Sequence, residues 1–174
     1  IFYTSMQAVP AFLPSVLAKK NIPCLIPLAI DQDAHFRVAR DVLPKLGYYK
    51  PAILHAKFLS GLGAEGKMSA SLPQSTIYTH DNPETVKEKI IKHAFSGGRD
   101  TIEEHRKLGG NPDIDVSYKW LYYLFEPDDN KIKKIYQDYK SGNLLTSELK
   151  AYTIEKINAF LKKHQQEKQK AKKK

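Results

Sequence analysis

The spacing of apolar positions changes along this chain. From Cys24 to Ile30 the run Cys-Leu-Ile-Pro-Leu-Ala-Ile carries no charged or amide side chain, the pattern of a strand buried on both faces in a parallel sheet. It ends in Asp31-Gln32-Asp33. Polar residues at the carboxyl end of such a strand are where open α/β sheets hold ligands. Asp33 is also placed to cap a helix whose body runs from Phe36 to Leu43. Ala52-Ile53-Leu54-His55 reads as a second short strand. Strand, helix and strand make one βαβ crossover.

Past residue 80 the spacing becomes helical. Asn82 is a good N-cap and Pro83 suits the first helical position. Val86, Ile90, Ile91, Ala94 and Phe95 form an apolar stripe, which Gly97-Gly98 ends as a C-cap. Tyr118 to Phe125 is a bulky apolar helical segment around Trp120. Ile132, Ile135, Tyr136 and Tyr139 make the next stripe, broken by Ser141-Gly142-Asn143. Thr146 is placed to cap a last helix with Leu149, Thr153, Ile157, Phe160 and Leu161 on one side. There is no internal repeat. The expected fold is α/β followed by all-α.

Composition narrows the partners more than the fold. The 174 residues, 41% hydrophobic, suffice for one domain or two small ones. A net charge of +9 favours an anionic partner, nucleic acid or a phosphorylated ligand. Residues 162–174 hold seven Lys and one Glu; they read as a frayed, solvated tail, with an electrostatic arm on RNA as the alternative. Cys24 stands alone, so no internal disulfide forms, and its apolar neighbours suit a core thiol. No Cys/His pair has zinc spacing. Glu103-Glu104-His105 puts acid and imidazole side by side rather than on one helix face, so no metal site is expected. No apolar run approaches a membrane span, and the opening Ile-Phe-Tyr-Thr-Ser lacks the features of a signal peptide. The absence of Met at position 1 suggests a chain that starts partway through a longer protein.

The strongest local signal is Lys67-Met68-Ser69-Ala70-Ser71, directly after Ser60-Gly61-Leu62-Gly63-Ala64-Glu65-Gly66. Glycines free the backbone amides, Lys67 supplies a point charge, and Ser69 and Ser71 add small donors: a means of holding phosphate. The alternative is a solvated turn. The letters resemble the Lys-Met-Ser-Lys-Ser signature of class I aminoacyl-tRNA synthetases, with Ala70 in place of the second Lys. Ile30 to Arg40, His93 to Arg106, Met6 to Phe12 and Leu145 to Lys150 are similar to the tryptophanyl branch, of archaeal and eukaryotic cytosolic type. The resemblance covers about residues 1 to 165, and Gly97-Gly98-Arg99-Asp100-Thr101-Ile102-Glu103-Glu104-His105 is its most specific run.

That resemblance implies a Rossmann-type parallel-sheet catalytic domain over residues 1–80, a helical anticodon-binding domain over 81–165 and a Lys-rich tail over 166–174. It implies an ATP-binding loop in which Lys67, Ser69 and Ser71 stabilise the departing pyrophosphate with Mg²⁺ sharing the charge, and Met68 presents its backbone near adenine. It implies Gln7 and Gln32 on the head group of tryptophan, and Asp31 on the adenylate ribose. It implies Arg99, Asp100 and Lys150 as readers of the tRNA anticodon. Without the resemblance, the glutamines read as surface amides, Asp31 as a cap or salt bridge, and Arg99-Asp100 as a helix cap. Arg37 and Arg40 share a helix face toward a dimer partner, tRNA or solvent. None of the six histidines forms a catalytic cluster with a nucleophile.

The family's other signature, of the His-Ile-Gly-His kind, does not occur in this chain. The expectation is therefore a C-terminal portion of a cytoplasmic, homodimeric tryptophan–tRNA ligase, inactive by itself. The competing reading is a non-catalytic basic RNA-binding or signalling module derived from such an enzyme.

Overall fold

The computed structural model describes residues 2–57, 59–64, 66, 68 and 72–172, the Thr4 side chain excepted. They form two compact units, Ile1–Phe58 and Leu59–Lys174. The boundary falls ahead of residue 80 because the segment after Leu59 is bonded into the helices: Leu62 is 1% exposed in their core and its carbonyl accepts the Phe95 amide at 2.7 Å.

The first unit contains α1 (Phe2–Ala8), α2 (Leu13–Leu17), β1 (Leu25–Ala29), α3 (Asp33–Val42) and β2 (Ala52–Ala56). The strands pair in parallel, Leu25 with Ala52 through Ala29 with Ala56, around the α3 crossover. Phe36, Ala39 and Leu43 form the core with Ala11, and Ile26, Leu28 and Ile53 pack against it. The expectation that β1 is buried on both faces does not hold, since Leu25 is 62% exposed. Side chains alternate across a strand, and α3 covers only the face that carries Ile26 and Leu28.

Asp33 does not cap α3. It is the first helical residue, and its carboxylate accepts from Arg37 Nε at 2.5 Å and pairs with His55 Nε2 at 2.7 Å. Those contacts, His55 first, hold its carboxyl below the usual carboxylate range. Arg40 donates instead to the Pro51 carbonyl, tying the helix to the start of β2.

The second unit contains α4 (Pro83–His93), α5 (Ile102–Leu108), α6 (Val116–Trp120), α7 (Asp129–Ser141) and α8 (Thr146–Lys172), with a π-helical turn at Leu121–Phe125. Asn82 caps α4 as expected, accepting the Thr85 amide at 2.8 Å. Val86, Ile90 and Ala94 are buried, but Ile91 and Phe95 point outward. Gly97-Gly98 is not the cap: α4 ends at His93, with Ala94 turning to extended geometry. Gly142, at φ +83°, does end α7. Thr146 begins α8 rather than capping it: the Leu145 carbonyl before it accepts the Leu149 amide at 3.0 Å, and the Thr146 hydroxyl is engaged with that of Tyr139 at 3.0 Å. Leu149, Thr153, Ile157 and Leu161 line the buried face of α8, while Phe160 is 54% exposed. The basic tail is not frayed within the described residues: α8 continues unbroken to Lys172.

Glu126, with its side chain 3% exposed, follows the π-helical turn. Its carboxylate receives the Tyr152 hydroxyl, Lys156 Nζ at 3.0 Å and the Asp128 amide at 3.2 Å. Burial alone raises such a pKa, but these donors outweigh it and hold Glu126 at about 2. A depressed folded pKa gives stability that is complete above the unfolded carboxylate range, about 4.3, and lost as pH falls from there through about 2. Thermal unfolding of Glu126→Gln should show about 1–3 kcal/mol lost at neutral pH and a flatter acid limb than wild type below pH ~5. An unchanged acid limb would remove Glu126 from the account.

Candidate functional site

In the first unit, Asp31 and Gln32 lie on a 3₁₀ turn between β1 and α3, where the parallel strand ends. Gln32 Nε2 donates to Asp31 Oδ2 at 3.0 Å. This leaves Gln32 Oε1 buried, with no hydrogen-bond partner among the described residues. An orphaned buried acceptor costs free energy unless something donates to it. Gln7 sits near the end of α1, half-buried, and donates to the Tyr3 hydroxyl at 2.7 Å. Helix α1 packs on α3, the helix that begins at the residue after Gln32. A cavity of about 300 Å³ lies in the same unit, lined by Ala8, Phe12, His35, Val42 and Leu43 among others.

Lys67, Ser69 and Ser71 lie outside the described residues. The segments on either side of them are well fixed. Gly61 and Gly66 close the glycine turn with a 3.1 Å bond from the Gly61 amide. The Leu62 amide donates to the Ser75 carbonyl at 2.9 Å, joining the incoming and outgoing arms. Trp120, 4% exposed, donates its indole N–H to the Ser60 carbonyl at 2.9 Å. Met68 packs against the same core as Trp120, Val86 and Ile157. The arms of the Lys67 loop are thus built on the helices.

Arg99 and Asp100 are exposed and follow Gly98 on the loop before α5. They are not a cap, since Thr101 fills that position by accepting the Glu104 amide at 3.1 Å. Arg99 Nε donates to the Gly109 carbonyl at 3.1 Å. The loop is pressed onto the start of α8: a Cβ built on Gly98 would lie 2.2 Å from Thr146 Oγ1. One built on Gly97 would lie 1.9 Å from the Asn111 carbonyl oxygen. Close approach, not helix termination, is why glycine stands at both positions.

One turn along α8 from Thr146, Lys150 Nζ donates to the Ile91 carbonyl at 3.3 Å. Burial pushes the Lys150 ammonium pKa down, against the opposing charge of Asp115. Lys150 lines a cavity of about 460 Å³ with Lys87, Ile91, Thr146, Ser147 and Ile154. The cavity offers a half-buried ammonium and two hydroxyls, and Arg99 and Asp100 stand exposed on the loop that meets Thr146 at Gly98; groups of these kinds can read the polar edge of an unstacked base.

The residue that sets this geometry is Asp115, which sequence reasoning missed. It is fully buried and accepts three bonds, from the Gly97 amide at 2.9 Å, the Tyr118 amide at 3.1 Å and the Tyr139 hydroxyl at 2.9 Å. Burial first, and then Asp115, raises the Tyr139 phenol pKa above its ordinary range, so it remains a donor. The signal in the sequence was an Asp before the apolar Val116, an N-cap pattern that gave no hint of its other two partners.

The family model for class I tRNA synthetases (W and Y) matches residues 1–162. A tryptophan–tRNA ligase from Sulfurisphaera tokodaii is 57% identical over 174 residues, 99% of this chain and 44% of that protein. The cytoplasmic tryptophan–tRNA ligase of Homo sapiens is 50% identical over 170 residues, 95% of this chain and 36% of that protein. A crystal structure of a product-bound parasite tRNA synthetase superposes with a TM-score of 0.82 at 45% identity, over 96% of this chain and 45% of that one. The chain thus spans less than half the length of the relatives it matches.

The Gly98–Thr146 contact makes a direct test of the loop's seat. Gly98→Ala should cost about 1–3 kcal/mol by urea unfolding, as other overpacking changes do. Adding Thr146→Ala removes the clashing hydroxyl, so the double variant should be more stable than the sum of the two single losses. Strict additivity would mean that the loop does not rest on α8.

Proposed function

Because this chain belongs to the class I tRNA synthetase family of the tryptophan and tyrosine enzymes, we propose that it is part of a tryptophan–tRNA ligase. The observation that carries this reading is identity of 57% to a tryptophan–tRNA ligase along 99% of the chain. In the proposed reaction a tryptophan carboxylate oxygen attacks the α-phosphorus of ATP, and pyrophosphate leaves. The terminal ribose hydroxyl of the tRNA then attacks the adenylate carbonyl, and AMP leaves. The protein's work is positioning and charge stabilisation.

The unpartnered Gln32 Oε1 suits the ammonium of the amino acid, and the Asp31 bond to Gln32 Nε2 fixes that orientation. Asp31 is proposed to meet the adenylate ribose and Gln7 the amino-acid head group. ATP enters as its Mg²⁺ complex, a substrate-borne cation. Lys67, with the Ser69 and Ser71 hydroxyls, is proposed to meet charge on the departing pyrophosphate. The hydrogen-bonded flanking arms at Ser60–Leu62 and Leu72–Thr76 support this role, because a cation helps only if it arrives in place.

Residues 81–165 are proposed as the anticodon-binding part, with Arg99, Asp100 and Lys150 on the anticodon bases. The whole enzyme is taken to be a cytoplasmic homodimer, like in location to the human relative named cytoplasmic. Among the described residues no helix is long and apolar enough to cross a membrane.

Two substitutions in the whole enzyme separate the two roles. Lys67→Ala should slow tryptophan-dependent ATP–pyrophosphate exchange by roughly 10²–10³ while tryptophan binding holds. Arg99→Ala should leave exchange intact and cost about 1–3 kcal/mol in charging of tRNA with a tryptophan anticodon. Its effect on an acceptor-stem minihelix should be small. An unchanged exchange rate in Lys67→Ala, or equal losses on tRNA and minihelix in Arg99→Ala, would refute the respective assignment.

A further inference from the structure

After Trp120 the helix widens. The Glu126 amide reaches back five residues to the Leu121 carbonyl at 2.9 Å, closing a π-helical turn over Leu121–Phe125. Such turns interrupt α-helices at some cost and are concentrated at functional sites. Here the turn puts three consecutive large side chains outward, with Tyr122 51%, Tyr123 39% and Leu124 61% exposed. A run of that kind is unfavourable on a soluble surface unless it is used.

The tyrosines are ordered by one another. Tyr118, only 9% exposed, is rooted in the core with Leu121, Ile135 and Tyr139. Tyr122 stacks on it, with centroids 6.1 Å apart and planes at 24°. Tyr123 meets Tyr122 edge-on at 5.1 Å and 68°, and Tyr136 meets Tyr118 edge-on at 5.5 Å and 63°. Together with Pro112, Asp113 and Lys119 the four rings line an open cavity of about 310 Å³. Asp113 accepts the Tyr136 hydroxyl at 3.2 Å, and Lys140 Nζ lies 5.6 Å from the Tyr136 ring centre.

Fixed aromatic faces beside ammonium groups are the means by which proteins hold single-stranded nucleic acid, since every base has a face to stack. The charges are complementary to such a ligand: Lys119 and Lys140 suit a phosphate, Asp113 suits the exocyclic amine of a base, and the chain carries +9. The position is also apt. Pro112 and Asp113 continue the segment whose Gly109 carbonyl holds Arg99 and whose Asn111 amide bonds to the Gly97 carbonyl at 2.7 Å.

We propose that the tyrosine cavity at the π turn holds an unstacked base of the tRNA, as a second RNA contact beyond the Arg99 loop. The inference rests on the tRNA-binding reading above. Tyr122 supplies the stacking face, Tyr118 fixes its plane from beneath, and Tyr123 walls the cavity.

The test measures binding of a tRNA transcript with a tryptophan anticodon to the whole enzyme by fluorescence anisotropy. Tyr122→Leu should weaken binding about 5- to 150-fold, the effect of losing one stacked base. Tyr122→Phe, which keeps the ring, should bind within about twofold of wild type. The salt dependence should keep its slope in both, because no phosphate contact is removed. Wild-type affinity in Tyr122→Leu would overturn the proposal, and so would a loss traced by sedimentation to subunit dissociation. Arg99→Ala, run alongside, keeps the two claims apart. If Arg99→Ala binds normally while Tyr122→Leu does not, the anticodon assignment fails and the base site stands.

Discussion

A buried carboxylate at Asp115 organises the helical unit. Removing a carboxylate from water is costly unless it is supplied with donors, and three reach it from separate parts of the chain: the Gly97 amide, the Tyr118 amide and the Tyr139 hydroxyl. Losing any one would leave the group under-satisfied in a fully buried place. The cost of that failure fixes the relative positions of the loop after α4, the start of α6 and the last turn of α7. Tyr139 passes the constraint to Thr146, and so to the first turn of α8. The Arg99 loop and Lys150 keep their places because the same network positions both.

The constraint also reaches the residues that flank Lys67. The Leu62 carbonyl accepts from Phe95, and the Phe95 carbonyl accepts from Val116, the residue after Asp115. Trp120, one helical turn further, holds the Ser60 carbonyl. A loop proposed to act on ATP and a loop proposed to act on the anticodon are therefore parts of one hydrophobic and hydrogen-bonded unit. This is the physical reason that the compact unit begins at Leu59, before the change in composition near residue 80.

What was legible in the sequence is what local spacing encodes. The βαβ crossover, the Asn82 cap, the Gly142 stop and the Val86–Ile90 and Ile132–Ile135–Tyr139 stripes follow from periodicity and capping chemistry. What was not legible depends on partners far along the chain. Gly97-Gly98 resembles a helix stop, yet the reason for it lies at Asn111 and Thr146. Asp33 resembles a cap, yet its carboxylate turns to His55, on the next strand. Phe160 and Ile91 fit their stripes by spacing but face outward, since a stripe fixes an arc and not its edges. At the candidate site, the roles proposed for Gln32 and Lys150 rest on family resemblance, since taken alone the spacing offers only a surface amide and a helix lysine. The apolar helical segment around Trp120 was legible, but the three partners of Asp115, the Trp120 bond to Ser60 and the π turn were legible by neither route, because burial and ring geometry belong to the folded chain.

Amide hydrogen exchange at Gly97 tests the central role of Asp115 most directly. This amide lies in a loop outside any helix or strand, and its bond is to a side chain 18 residues away. If Asp115 holds the unit together, the Gly97 amide opens only with global unfolding, and its protection should match that of Ile90 in the core of α4. Exchange at the rate of an exposed loop amide would show that the carboxylate does not hold the loop, and the account of the Arg99 site would fall with it.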